Sequence, residues 1–166
     1  VADAHELADV LSVLENGRVL QCGPREDVFQ RPASLAVARW TGARNLVEMD
    51  RTGSNGQARL VAGGLSLTTD APLPPGPRVV AVLRPERLRL LAPADAPYAD
   101  ETATPVTVRR VKPQGAHWLV EVSAGESGPL LQVDAAACWC ERHRPAPGAE
   151  LRLAIPRAAV HVLPAA

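Results

Sequence analysis

The spacing of apolar residues changes character twice along the chain. In DAHELAD, residues 3–9, Ala4, Leu7 and Ala8 fall at helical spacing behind Asp3, a good N-cap, so the segment reads as the last turns of a helix. From Val10 the period shortens. VLSVLENGRVLQCG holds two short apolar runs, 10–14 and 18–21, joined by Asn16-Gly17, the dipeptide that accepts the positive φ angles of a type I′ turn. The pattern predicts a β-hairpin. Gly23-Pro24 ends it, and PREDVFQR predicts a helix over 24–31, with Glu26 and Asp27 in the first turn where the helix dipole favours acids. SLAVARWTG predicts a second short helix over 34–41, capped by Ser34 and closed by Gly42.

After Asn45 the texture is β throughout. Ten short runs follow: NLVEMD, QARLVAG, LSLTTD, RVVAVL, LRLLA, PVTVRRVK, HWLVEVSA, LLQVDA, ELRLAI and AVHVL, most of them separated by Gly, Pro, Asn or Asp. Short strands at this spacing predict an all-β barrel or sandwich. The proline-bearing stretch 92–105, APADAPYADETATP, is expected to be a loop between its two halves. Residues 78–91 and 150–163 rhyme, each a strand, a proline-marked bend and a second strand; similar local turns are enough to account for that.

Composition narrows the function classes. Lys+Arg and Asp+Glu stand at 18 each, so no broad charged field selects nucleic acid or anionic lipid. No apolar run reaches the length of a membrane span, and the N-terminal residues have no signal-peptide pattern. Cys22, Cys138 and Cys140 are too few and too irregular for a disulfide framework, which fits a reducing compartment. The chain opens on Val1 rather than methionine, and is expected to be a piece of a longer reading frame.

The order LADVLSVLENGRVLQCGPREDVFQRPASLAVARWTGARNL, residues 7–46, resembles the segment that follows the catalytic core in ATP-binding subunits of ABC importers. The LAD leading into an apolar strand, the NGR turn, the PREDVF-like helix, RPAS and the G-x-x-N-L exit stand in that family's order. Farther on, VLRPERLRL at 82–90, the valine pattern from Val108 through Gly115 to Val122, and PGAELRLAIPRAAVHVL at 147–163 resemble its C-terminal TOBE-type domain.

The resemblance implies a mainly β fold: an OB-like TOBE β-barrel, 45–166, preceded at 1–44 by the hairpin and short helices that end an α/β nucleotide-binding domain. It also implies a cytoplasmic subunit, peripheral at the inner face of the plasma membrane, that pairs with a second copy and with permease subunits. The intact parent would be an ATPase using ATP and magnesium. This chain itself has no phosphate-binding loop, since Lys112 sits in VKPQG, and neither the family's signature nor its acidic pair occurs. Its switch histidine would precede Val1, so His5 does not stand for it. No catalytic, cofactor or metal residues are therefore expected here, nor any cofactor.

Three clusters invite chemistry and have simpler explanations. Cys138-Trp139-Cys140 with His143 offers soft ligands, and on a strand both thiols would share a face, yet no fourth ligand stands nearby. Arg84-Pro85-Glu86 reads as a fixed bend with a local ion pair before it reads as a ligand contact. Arg109, Arg110 and Lys112 form a basic strand, but with one Tyr, one Phe and three Trp the chain lacks stacking platforms for nucleic acid. The rival reading is a free-standing OB-like protein that binds a small ligand or oxyanion.

Overall fold

The computed structural model describes residues 8–53 and 59–165, so the helical reading at 3–9 and His5 lie largely outside the described residues. The chain divides between Ala43 and Arg44 into two compact units.

In the first unit β1 (Val10–Glu15) pairs antiparallel with β2 (Arg18–Pro24), and the turn places Asn16 at φ 50° and Gly17 at φ 75°. The type I′ hairpin predicted from Asn16-Gly17 is thus formed. Two six-residue helices follow, α1 (Arg25–Gln30) and α2 (Leu35–Trp40). Ser34 caps α2 by accepting a hydrogen bond from the Val37 amide at 3.3 Å. Gln21 ties the link between the helices to the hairpin: its amide donates to the Arg31 carbonyl and its carbonyl accepts from the Ala33 N–H. The core of this unit is small. Val13, Val28 and Val37 are buried against Leu11 and Leu20, whereas Val10, Leu14, Val19 and Trp40 stay more than half exposed.

Among the described residues the second unit holds ten strands, and each of the ten runs read from the sequence forms one. They are β3 (Asn45–Thr52), β4 (Arg59–Ala62), β5 (Leu65–Thr68), β6 (Arg78–Leu83) and β7 (Arg89–Leu91). Then come β8 (Glu101–Gln114), β9 (His117–Ser123), β10 (Leu130–Ala136), helix α3 (Ala137–His143), β11 (Glu150–Pro156) and β12 (Val160–Pro164). They form two five-stranded antiparallel sheets, ordered β5-β4-β3-β6-β12 and β10-β9-β8-β11-β7.

Those orders are the same order. Each half of the unit makes a three-stranded meander, returns a fourth strand beside the first, and sends its fifth into the other sheet. The crossings are the two rhyming segments: β6 turns through a 3₁₀ turn at Pro85–Arg87 into β7, and β11 through one at Arg157–Ala159 into β12. Registers agree as well, since Asn45 faces Leu83 as Thr102 faces Ile155, and Asp50 faces Arg78 as Thr107 faces Glu150. The rhyme therefore marks a repeated module with exchanged last strands, which local turn similarity does not explain.

Alternation decides which side chains enter the core. Leu131, Val133 and Ala135 of β10 are buried and their neighbours are not, the period of a half-buried strand. Val79 to Leu83 of β6 are buried without a break, so side chains on both faces of this strand are shielded from water. One apolar cluster draws on both sheets, including Met49, Leu60, Leu83, Val108, Leu131 and Ile155.

Two local expectations fail. β8 begins at Glu101 and carries Pro105 inside it, so the loop is shorter than 92–105. A proline is tolerated there because residues 101–106 of β8 pair with β11 alone, and β9 joins only from Thr107. Cys138-Trp139-Cys140 lies on α3, not on a strand. Residues two apart on a helix diverge, and Cys138 is exposed while Cys140 is buried.

Candidate functional site

A groove of the β unit opens where the first crossing meets the end of β10. Pro85 starts the 3₁₀ turn with its fixed φ, and the Arg87 N–H closes it on the Arg84 carbonyl at 3.0 Å. This holds Glu86 outward and buries Leu88. Arg84 is itself buried, 8% exposed, and its burial pushes the guanidinium down from the usual arginine range, against the opposing pull of Glu86. The Arg84-Pro85-Glu86 bend is therefore a packed corner.

Opposite the corner, Asp95 accepts the Ala92 N–H at 2.9 Å and folds the loop back over β7. Tyr98 follows it, 63% exposed, with the Arg89 guanidinium 4.1 Å above its ring. Arg89 also donates two hydrogen bonds, both 2.9 Å, to the Glu101 carboxylate, whose side chain is only 2% exposed. A fork-to-fork pair of this kind is strong and directional. The third wall is Asp134 to Ala136 and Trp139, brought in by α3, where Trp139 stacks on His143 with ring centroids 4.6 Å apart. The space enclosed is ≈ 510 Å³, within the range of small-molecule sites.

The hydrogen bonds from Arg89 hold the Glu101 carboxyl below the usual carboxylate range, and the Tyr98 N–H reinforces this. A carboxylate depressed in the folded state lends stability above its unfolded pKa, about 4.3, and loses it as pH falls through the folded value. The stability difference between the wild type and Glu101→Gln is thus expected to be full near pH 6, above the unfolded carboxylate pKa of about 4.3, and to shrink as the pH falls from there toward the depressed folded value. Urea unfolding of both proteins across that range measures it, and a gap independent of pH would contradict the assignment.

The other sequence candidates are not brought together. Arg109 donates to the Ser123 hydroxyl at 2.7 Å and sits at a break in the β8–β9 register, so it and Arg110, which faces Glu121, no longer alternate regularly with Lys112. No group of three or more His, Cys, Asp or Glu among the described residues has a metal-binding arrangement. Burial pushes the Cys140 thiol up, away from the thiolate that a soft metal would need.

Sequence reasoning passed over Arg89, Tyr98 and Glu101, which bracket the groove. The available signal was Tyr98, the single tyrosine of the chain, set in the stretch expected to be a plain loop.

Comparison with known proteins gives this architecture its family. The TOBE domain model matches residues 81–163. The sn-glycerol-3-phosphate import ATP-binding protein UgpC of Chromobacterium violaceum is 31% identical over 166 residues, covering 98% of this chain and 42% of the relative. The spermidine/putrescine import ATP-binding protein PotA of Methylococcus capsulatus is 37% identical over 92 residues, 53% of this chain and 24% of that protein. The sulfate/thiosulfate import ATP-binding protein CysA of Burkholderia mallei is 33% identical over 132 residues, 80% of this chain and 35% of CysA. The chain thus spans less than half the length of each of these relatives. Among solved structures, the cytoplasmic molybdate-binding protein ModG with molybdate bound superposes with a TM-score of 0.61, covering 75% of this chain and 98% of ModG at 16% identity, a likeness of fold. The chain belongs to the TOBE domain family, in the form found in the C-terminal regions of ABC importer ATP-binding subunits.

Proposed function

We propose that this chain is the C-terminal regulatory and dimerisation portion of the ATP-binding subunit of a binding-protein-dependent ABC importer. ATP and magnesium are then handled by sequence outside it, and it performs no catalytic step of its own. The observation that carries the reading is the match to UgpC across 98% of the chain, first unit included. A self-contained ligand-binding barrel has no use for that first unit.

Its hairpin and two short helices supply one small cluster of valines and leave Val10, Leu14, Val19 and Trp40 exposed, the composition of a piece that packs on more protein. The intact subunit, in this reading, sits in the cytoplasm at the inner face of the plasma membrane, paired with a second copy and engaging permease subunits through the nucleotide-binding domain. No helix among the described residues is long and apolar enough to cross a membrane. Three relatives with different named solutes match between 53% and 98% of this chain, which supports a solute-neutral role for it.

Titrating the chain with Mg·ATP by calorimetry is expected to give no saturable heat, while sedimentation across concentration is expected to show self-association. Micromolar nucleotide binding would overturn the first part. A strictly monomeric chain at high concentration would overturn the second. The ModG likeness favours one alternative, a free-standing oxyanion-binding protein, for which tight binding of molybdate or sulfate by the chain is the expected result.

A further inference from the structure

We propose that the groove between β7 and β10 takes an extended peptide segment of a partner protein, which adds to the second sheet as a strand. β7 and β10 are the two ends of that sheet, and among the described residues no hydrogen bond joins them. The register shows which main-chain groups face the space between. Successive residues of a strand turn their N–H and C=O groups to opposite edges. At the ends of the β9–β10 pairing the Ala124 N–H donates to the Pro129 carbonyl and the Ala137 N–H to the Ala116 carbonyl, so the odd-numbered residues of β10 serve β9. Gln132 faces the other way, where Asn45 takes both its main-chain groups. Asp134 and Ala136 turn theirs to that same open edge.

The count for β7 agrees. Val108 exchanges main-chain bonds with Gly148 and Ala149, so Val106 and Thr104 bond to Leu151 and Leu153 of β11. Arg152 and Ala154 are left to bond Leu91 and Arg89 of β7, and Leu90 between them turns its N–H and C=O outward. Main-chain donors and acceptors at strand spacing on an open edge match another strand. The edge already holds one amide: the Asn45 carboxamide meets Gln132 with the donor and acceptor that a peptide unit would bring. The next two positions, Asp134 and Ala136, stand open beside it. Leu88, Tyr98 and Trp139 line the groove there and offer apolar surface to alternate side chains of an added strand.

The repeat gives a contrast within the molecule. In the other half the Thr69 hydroxyl donates to the Val160 carbonyl at 3.1 Å and ties β12 to the end of β5. By register Val133 and Leu88 hold those two places here, and a valine side chain has no hydrogen to donate. The seam is therefore tied in one half and open in the other. This inference does not rest on the transport reading, and its failure would leave that reading untouched.

Hydrogen exchange on the whole chain tests the edge first: the amides of Leu90, Asp134 and Ala136 are expected to exchange fast, and those of Val133 and Ala135 slowly. The chain is then titrated with the peptide acetyl-Thr-Val-Thr-Val-Thr-amide and followed by amide and indole N–H signals. Saturable shifts are expected at Asp134, Ala136 and Trp139, with Trp40 unmoved. The same peptide N-methylated at every residue keeps its side chains and loses its donors, and should bind at least roughly tenfold more weakly. Ala136→Pro is the matching change in the protein. Ala136 is exposed, sits at φ −60° and keeps its N–H out of the β9 pairing, so the variant should fold as the wild type does and bind the unmodified peptide roughly tenfold more weakly. Slow exchange at Asp134 and Ala136 in the free chain, an unfolded Ala136→Pro protein, equal binding of the methylated peptide, or no saturable response to the unmodified one would each overturn the proposal.

Discussion

Replacing Gly128 with alanine is expected to unfold the β unit or to lower its stability by more than about 3 kcal/mol, the upper end of ordinary overpacking in a well-packed interior. A Cβ built on Gly128 would lie 1.6 Å from the Ala124 carbonyl oxygen and 2.6 Å from its carbon. Both obstacles are backbone, so no side chain can swing aside. The loop between β9 and β10 meets the tight turn between β4 and β5 at the same place. The Gly64 N–H donates to the Ala124 carbonyl at 3.2 Å, and a Cβ on Gly64 would stand 2.6 Å from that oxygen.

These two turns occupy matching positions in the two halves of the repeat, so this is where the halves touch tip to tip. Room for the methyl at Gly128 can come only from moving the backbone of its own loop around Ala124, and with it the carbonyl that accepts from the Gly64 N–H. Gly64→Ala is expected to act in the same direction. Gly23→Ala is the control, since its Cβ meets nothing within 4 Å and its φ is not positive; its effect should stay within about 0.5 kcal/mol. Thermal unfolding of the three variants decides the matter, and a Gly128→Ala protein as stable as Gly23→Ala would mean that the turns do not pack as described.

Much of the fold was open to reading in the residues alone, and the reasons differ by element. Asn16-Gly17 specifies a turn by backbone chemistry that needs no tertiary context, so the hairpin followed from two residues. The ten strands followed from period-two alternation interrupted by turn residues, a signal set by one-sided burial. What strand detection does not contain is pairing order. The exchange of β7 and β12 between sheets depends on which strands lie beside β6 and β11, and the only trace of it in the sequence is the rhyme of 78–91 with 150–163.

The helix at Ala137–His143 was missed because ACWCERH has no alternation and no cap; it is held by docking, with Cys140 buried beneath it. The groove depends on that helix and on the pairing of Arg89 with Glu101, twelve residues apart across a loop, so its geometry had no local signal. Hence the sequence identified the family through its best-spaced motifs, while the groove beside Tyr98 and Trp139 became visible only when distant elements were brought together.

Asn45→Ala is expected to cost roughly 3 kcal/mol, more than any other polar truncation in the unit, because it leaves two main-chain groups without partners. Asn45 stands at the start of β3, 2% exposed, in the first sheet. Its amide donates to the Gln132 carbonyl at 2.8 Å, and its carbonyl accepts from the Gln132 N–H at 2.7 Å. The side chain thereby imitates a neighbouring strand and occupies the edge of β10 in the second sheet. The repeat supplies the comparison: Thr102 matches Asn45 by register, and Thr68 on β5 matches Gln132, where the joint is a single hydroxyl-to-hydroxyl bond of 3.0 Å. Thr102→Val keeps the shape and loses one such bond, so it should cost about 1 kcal/mol. Asn45→Asp should be worse than alanine, since a carboxylate oxygen would then face the Gln132 carbonyl where a donor stood. Urea midpoints of the three variants, with hydrogen exchange at the Gln132 amide, test the ranking. If Asn45→Ala and Thr102→Val cost the same, the paired hydrogen bonds of Asn45 do not close the second sheet against the first, and its burial reflects packing alone.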